Sequence, residues 1–134
     1  GASALENNAG GANNTGVGYA ALYSTTSSSN NTALGINAGY SYTSSAGTFV
    51  GFNAGQYATS AAYSTFMGFS AGQGITGTKL TGNYNAAFGY QAGLKLQGAA
   101  NTNLGYSIRR TLQERYCRLY SRSVVYQCST ASYF

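Results

Sequence analysis

The sequence predicts an all-β protein, a parallel β-solenoid (β-roll) of about seven coils with a repeat period of 16–17. A nine-residue phrase recurs along the chain, mostly at steps of 16 or 17 positions. Inside the phrase, apolar residues alternate with small or polar ones, and an alternation of period two indicates strands. At about 3.3 Å per strand residue, such a coil holds two short strands and two bends.

The repeated phrase is NTALGINAG at 31–39, and it returns in related form at 47–55, 64–72 and 85–93. We number each unit from its central residue, taken as position 0. The first centre is Glu6, and successive centres are 12, 17, 16, 17, 21 and 16 positions apart. The long step places extra residues around 74–79, which we expect to form a loop. The other centres form a glycine row: Gly18, Gly35, Gly51, Gly68, Gly89 and Gly105.

Large apolar residues flank the centre at positions −1 and +1, and alanine usually occupies position +3. We predict that these positions form the buried face of the repeat and stack between coils about 4.7–4.9 Å apart. Leu34 would then lie over Val50, and Ile36 over Phe52. The predicted repeat core comprises Leu34, Ile36, Val50, Phe52, Met67, Phe69, Phe88, Tyr90 and Leu104.

The glycine row has two interpretations that the sequence leaves open. Glycine provides a backbone conformation with positive φ, or it allows another backbone to approach closely. A coil this small encloses few side chains, so one chain alone has a thin core. We therefore expect an oligomer that uses a face of small residues.

Composition argues against an enzyme. The chain has no His and only two carboxylates, Glu6 and Glu114, which are 108 positions apart. This excludes a Ser-His-Asp triad, a histidine metal site and a histidine acid–base shuttle. We expect no catalytic residue, no cofactor and no metal. No run approaches the roughly 20 apolar residues of a membrane span, and no signal peptide is visible. Because the chain begins with Gly, we expect a fragment or a processed product.

The phrases at 14–24, 31–39 and 85–93 resemble the NTAIGYQAL-type repeats of phage tail fibres and related bacterial surface proteins. They are similar, more distantly, to the heads of trimeric autotransporter adhesins. The resemblance covers about residues 2–106. It implies a parallel β-roll in which three chains pack side by side around a shaft. It also implies an extracellular, structural and adhesive role on a virion or bacterial cell surface, with a host glycan or protein receptor as partner.

Tyrosines between the units are candidates for receptor contact, namely Tyr40, Tyr42 and Tyr57, because tyrosine combines an apolar ring with a polar tip. Packing of these rings between coils is the alternative. Two other functions remain open. Threonines at position −3, interrupted by Ala86, form a column that suggests an ice-binding solenoid. Exposed strand edges at both ends suggest an open-ended filament.

The repeat region, residues 1–107, gives way to a basic segment, residues 108–134, that does not repeat. The segment has a net charge of +4, from five Arg and Glu114, and contains Cys117 and Cys128. Two cysteines allow an intrachain disulfide, intermolecular bonds or free thiols. We weigh a cap or connector, a non-native tail, and a patch for nucleic acid or an anionic surface. We do not expect nucleic acid as the protein's main partner, and we expect residues 2–106 to carry the stable fold.

Overall fold

The computed structural model describes residues 1–74, 79–96 and 98–106. The predicted C-terminal segment, residues 108–134, lies outside the described residues, together with Cys117 and Cys128. Residues 75–78 of the predicted insertion also lie outside them.

Six three-residue strands form one parallel sheet in sequence order, and the chain winds as a β-solenoid of about five turns. The predicted all-β parallel solenoid is therefore confirmed, although about seven coils were expected. The strands are β1 (Thr15–Val17), β2 (Thr32–Leu34), β3 (Thr48–Val50), β4 (Thr65–Met67), β5 (Ala86–Phe88) and β6 (Thr102–Leu104).

Each strand occupies positions −3 to −1, directly before the central glycine, and equivalent positions pair across the sheet. Thr32 pairs with Thr48, and Leu34 pairs with Val50. The register survives the long step, since Thr65 pairs with Ala86. The extra residues of that step therefore do not shift the pairing of the strands on either side. Within a strand the middle residue faces into the coil and its two neighbours face outward, as the pleat requires.

The central glycine ends the strand and changes the direction of the chain. Gly35 has a φ of 138° and Gly51 a φ of 125°, a region that residues with a Cβ atom rarely adopt. The residues at −1 and +1 both face outward, on the face opposite the buried middle residue at −2, whereas the sequence had predicted that they face the core. The alternation ends in the turn that follows, since position +3 faces inward.

The rest of the phrase is a compact turn with left-handed residues at +2 and +4. Asn37 and Gly39 have φ values of 54° and 60°. The N–H of Ala38 donates to the Gly35 carbonyl at 3.3 Å, and the N–H of Tyr40 donates to the Asn37 carbonyl at 3.2 Å. This turn points Ala38 inward, where it is fully buried. The predicted burial of the +3 column is confirmed by Ala21, Ala38, Ala54, Ala71 and Ala92.

The space inside each coil is shared between the strand's middle residue and position +4. Where the strand carries Phe49, position +4 is Gly55, and a Cβ atom there would lie 2.3 Å from Phe49 Cδ1. Where the strand carries Gly16, position +4 of the same coil is Leu22, which is fully buried. Each of these two coils therefore holds one large inward-facing side chain, and the position opposite it in the same coil carries glycine. Two large side chains would not fit, because protein interiors are close-packed.

Buried asparagines hold the corner before two of the strands, β2 and β5, at position −4. The Oδ1 atom of Asn31 accepts from the N–H of Gly47 at 2.9 Å, and its Nδ2 donates to the Ser44 carbonyl at 3.1 Å. Asn85 repeats the arrangement, because its Oδ1 accepts from the N–H of Asn101 at 3.0 Å. These side chains satisfy backbone groups that the bend removes from the sheet.

The first unit is centred on Gly1, and the prediction that it is centred on Glu6 is wrong. The N–H of Leu5 donates to the Ala21 carbonyl at 2.9 Å, as that of Leu22 donates to Ala38 at 3.0 Å. Leu5 therefore occupies position +4, and Gly1 lies one repeat step before Gly18. The N-terminal segment supplies the turn of a coil without its strand.

Candidate functional site

Large apolar side chains cover one face of the solenoid. Of the thirteen exposed large hydrophobic residues in the described chain, eleven occupy position −1 or +1. We call the two columns together the apolar stripe. The −1 column is Val17, Leu34, Val50, Met67, Phe88 and Leu104, and the +1 column is Tyr19, Ile36, Phe52, Phe69, Tyr90 and Tyr106.

The predicted repeat core therefore lies on the surface of the single chain. Leu34 is 51% exposed and Phe52 is 42% exposed, whereas Phe49 and Phe66 are fully buried. The prediction chose the wrong face of the strand, because the pleat turns position −2 inward and positions −1 and +1 lie on the opposite face. The nine predicted residues are Leu34, Ile36, Val50, Phe52, Met67, Phe69, Phe88, Tyr90 and Leu104, of which Val50 is half-buried and the others are exposed.

The predicted stacking of these residues between coils is nevertheless confirmed. Phe52 stacks on Phe69 with ring centroids 5.1 Å apart, and Phe69 stacks on Tyr90 at 5.2 Å. Tyr90 continues the ladder to Tyr106 at 5.3 Å, with the two rings 7° from parallel. Each ring contacts its neighbours in the ladder through its faces, and the ring edges on the outer side of the ladder remain open to solvent. Stacked rings of this kind contribute about 0.5–1.5 kcal/mol per pair beyond their area burial.

The glycine row lies between the two columns and has no side chains. A Cβ atom on Gly35 would lie 2.5 Å from the Gly51 carbonyl oxygen, and one on Gly68 would lie 2.4 Å from that of Gly89. Both interpretations of the row therefore hold, since φ is positive and another backbone approaches closely. The approaching backbone belongs to the next coil of the same chain. The stripe thus consists of two apolar columns separated by bare, half-buried backbone.

No charged side chain belongs to the stripe. The charged side chains of the described residues are Glu6, Lys79 and Lys95, and none occupies position −1 or +1. Covering the stripe therefore buries no ionic side chain, so an interface there avoids the desolvation cost of a buried charge.

The three predicted contact tyrosines differ in their surroundings. Tyr42 is fully buried, and its hydroxyl lies 3.0 Å from the Ser45 carbonyl and 3.2 Å from that of Ala61. Burial raises the pKa of Tyr42, and nearby Tyr63 adds to the rise. The prediction that Tyr42 is a surface contact is wrong. Tyr40 and Tyr57 are half-buried.

The threonines at position −3 face outward beside the stripe. Thr15 pairs with Thr32, and Thr48 pairs with Thr65, so the column is in register along the sheet. Thr15 and Thr32 are exposed, whereas Thr48 and Thr65 are half-buried.

The part of the chain that the structure describes contains no group of three or more Cys, Asp or Glu side chains placed to hold a metal ion. It also contains no helix with the length and hydropathy needed to cross a membrane. Comparison with protein-family models, curated proteins and solved structures found no match.

Proposed function

We propose that this chain is a rod-shaped structural module of an attachment fibre, which associates side by side with further copies through the apolar stripe. The observation that carries the proposal is the confinement of eleven of thirteen exposed large hydrophobic residues to that stripe. Monomeric proteins rarely expose a continuous apolar patch above about 300–600 Å².

The size of the stripe supports association with another protein chain. Its side chains are mostly about half exposed, which corresponds to on the order of 100 Å² of free apolar surface each. The eleven exposed members then present on the order of 1,000 Å² in total, and a standard interface buries about 800 Å² per partner. The area therefore fits a standard interface, and the affinity depends on how well the apolar columns of neighbouring chains pack together.

The resemblance to tail-fibre and adhesin repeats supports three copies around a common axis. A parallel in-register sheet suits such a shaft, because each added coil lengthens the stripe by one pair of apolar residues. On this proposal the assembly lies on the surface of a virion or a bacterial cell. Its role is attachment to a host glycan or protein.

Sedimentation velocity tests the association step. We expect the wild-type chain to sediment as a homotrimer at micromolar concentration, and Phe52→Ser/Phe69→Ser to sediment as a monomer. The matched control is Tyr63→Ser/Tyr84→Ser, which removes two exposed aromatic rings outside the stripe and should keep the trimer mass. A folded wild-type monomer, or equal dissociation of both variants, would contradict the proposal.

Ice binding is a second candidate, supported by the outward-facing threonine column at position −3. A regular row of methyl and hydroxyl groups is the feature that such a face needs. The neighbouring −1 column, however, changes from Val50 to Met67 to Phe88, so the face is uneven. A thermal-hysteresis assay at high protein concentration decides the matter, and zero activity would remove this candidate.

An open-ended filament is a third candidate. Among the described strands, β1 and β6 each have one edge without a neighbouring strand. Backbone groups on such edges pair readily with another chain. Electron microscopy distinguishes long filaments, which this candidate requires, from short rods.

A further inference from the structure

Two exposed tyrosines lie outside the apolar stripe, at position −5. Tyr63 is 60% exposed and Tyr84 is 62% exposed. Their rings stack with centroids 5.2 Å apart and planes 9° from parallel. They are the two exposed large hydrophobic residues of the described chain that the stripe does not include.

The backbone at position −5 does not favour tyrosine. Tyr63 and Tyr84 have φ values of 55° and 59°, in the left-handed region that asparagine tolerates better than a bulky residue. The first two coils carry Asn13 and Asn30 at this position. The tyrosines therefore gain nothing from local conformation, and their exposure shows that they add little to the core. Their presence is better explained by a contact with another molecule.

Alanines on both sides leave the outer ring faces of the pair uncovered. The N–H of Tyr63 donates to the Ser45 carbonyl at 3.3 Å, which places Tyr63 next to Ala46 in the preceding coil. The N–H of Ala100 donates to the Asn83 carbonyl at 2.9 Å, which places Ala100 next to Tyr84. No aromatic ring of the described residues stacks on the outer side of either tyrosine, in keeping with the 60% and 62% exposure of the pair.

We propose that the Tyr63–Tyr84 pair is a binding site for a neutral oligosaccharide. Each open ring face packs against the C–H face of one pyranose ring, and the phenol hydroxyls exchange hydrogen bonds with sugar hydroxyls. This inference rests on the adhesive part of the proposed function and names its ligand class. It does not depend on the number of chains in the fibre.

The surroundings of the pair favour a small neutral ligand over a protein. Positions −6 to −4 of the described coils contain Ala, Ser, Asn, Gly and Tyr, without any charged residue. Two rings also offer far less than the roughly 800 Å² that a stable protein partner covers. An anionic glycan would gain no ion pair here, whereas a neutral one meets only apolar faces and uncharged hydrogen-bonding groups.

Saturation-transfer difference NMR tests the site on the full chain. The probes are neutral tri- and tetrasaccharides of glucose, mannose, galactose and N-acetylglucosamine, each at millimolar concentration. We expect at least one to bind the wild type and to bind Tyr63→Asn/Tyr84→Asn about tenfold or more weakly. Asparagine is chosen because Asn13 and Asn30 show that the position accepts it.

The control is Tyr23→Gln, which removes one ring of the other stacked tyrosine pair outside the stripe. Tyr23 and Tyr40 stack at 5.1 Å at position +5, where later coils carry Gln56 and Gln73. Binding should survive in this control. The proposal is overturned if no probe binds, if binding survives in the asparagine variant, or if the control loses it equally. Sedimentation of the same samples reports on the fibre separately, so a failed glycan site is distinguishable from a failed assembly.

Discussion

A Cβ atom built on Gly51 would lie 2.6 Å from the carbonyl oxygen of Gly68, one coil further along the chain. The two glycines mark the place where successive coils approach most closely at the end of their strands. Gly51 also has a φ of 125°, so two independent constraints exclude a side chain there. The same pair of constraints applies from Gly18 to Gly89.

The first prediction concerns this contact. Gly51→Val should destabilise the fold by several kcal/mol, because backbone strain alone costs about 1–3 kcal/mol and the clash adds to it. The matched control is Gly10→Val, since a Cβ atom on Gly10 has nothing within 4 Å. Urea unfolding followed by circular dichroism measures the difference. Equal midpoints for the two variants would show that the coils do not meet at the glycine row.

A second prediction separates the inner core from the stripe. Phe49→Ala should lower the free energy of unfolding by about 3–5 kcal/mol, because it leaves a cavity in a packed coil. Phe52→Ala, at the next outward-facing column, should instead weaken association and change monomer stability little. Thermal melts at low and high protein concentration distinguish the two effects. If Phe52→Ala instead lowers the stability as much as Phe49→Ala does, and equally at low and high protein concentration, Phe52 belongs to the core of the single chain.

A third prediction concerns the corner asparagine. Asn31→Ala leaves the Gly47 N–H and the Ser44 carbonyl without their partner in a buried site. Each unsatisfied group costs about 1–3 kcal/mol, so a total of about 2–5 kcal/mol is expected. Asn7→Ala serves as the control, because it removes one exposed hydrogen bond to Tyr23. Chemical denaturation should rank the two variants clearly, and a mild Asn31→Ala phenotype would show that water replaces the amide.

A fourth prediction follows from the raised pKa of Tyr42, whose cause is burial first and the nearby Tyr63 second. In the unfolded chain tyrosine ionises near pH 10, whereas folded Tyr42 stays neutral to higher pH. The folded state then holds one proton more than the unfolded state, so stability falls as pH rises above about 10. Below that pH the contribution is fully present.

Tyr42→Phe checks this prediction. It removes the hydroxyl that lies near the Ser45 and Ala61 carbonyls, so it should cost about 1 kcal/mol at neutral pH. It should also remove most of the decline in stability between about pH 10 and 12 that burial predicts. Unfolding midpoints across that range provide the measurement. An unchanged slope in the variant would assign the alkaline loss to other tyrosines.

Spacing in the sequence predicted which residues stack, but not which of them face inward. Leu34 and Val50 share a row because the repeat step fixes the register. Their direction follows from the strand pleat, which turns Ala33 and Phe49 inward, and a period of two does not by itself say which face is buried. The prediction assigned the most apolar columns of the repeat to the core. The interior of a coil, however, has room only for alanines and one large side chain.

The predicted centre of the N-terminal unit was wrong for a different reason. The sequence around Glu6 resembles the repeated phrase, because Leu5 precedes the centre and Ala9 lies at position +3 from it. The true unit carries Ala2 at position +1, where the other units have an aromatic residue or isoleucine. The hydrogen bonds between coils identify this N-terminal unit, whereas its own short stretch of sequence does not. Likewise, the exposure of Tyr63 and Tyr84 depends on neighbours that lie a full coil away in the sequence.

The strand's middle residue and position +4 share the interior space of a coil. This sharing limits which coils can be duplicated in a longer array. Phe49 faces Gly55, and Phe66 faces Gly72, so a duplicated segment that runs from one phenylalanine to the next carries its own matched pair. A segment copied from the first coil pairs Gly16 with Leu22, whose side chain reaches the space beside Gly39 of the next coil. Inserted next to a coil with a phenylalanine at its strand, it would overfill the interior. A duplication that joins two phenylalanine coils should therefore keep the packing, whereas one that places Leu22 directly beside Phe49 should destabilise the fold.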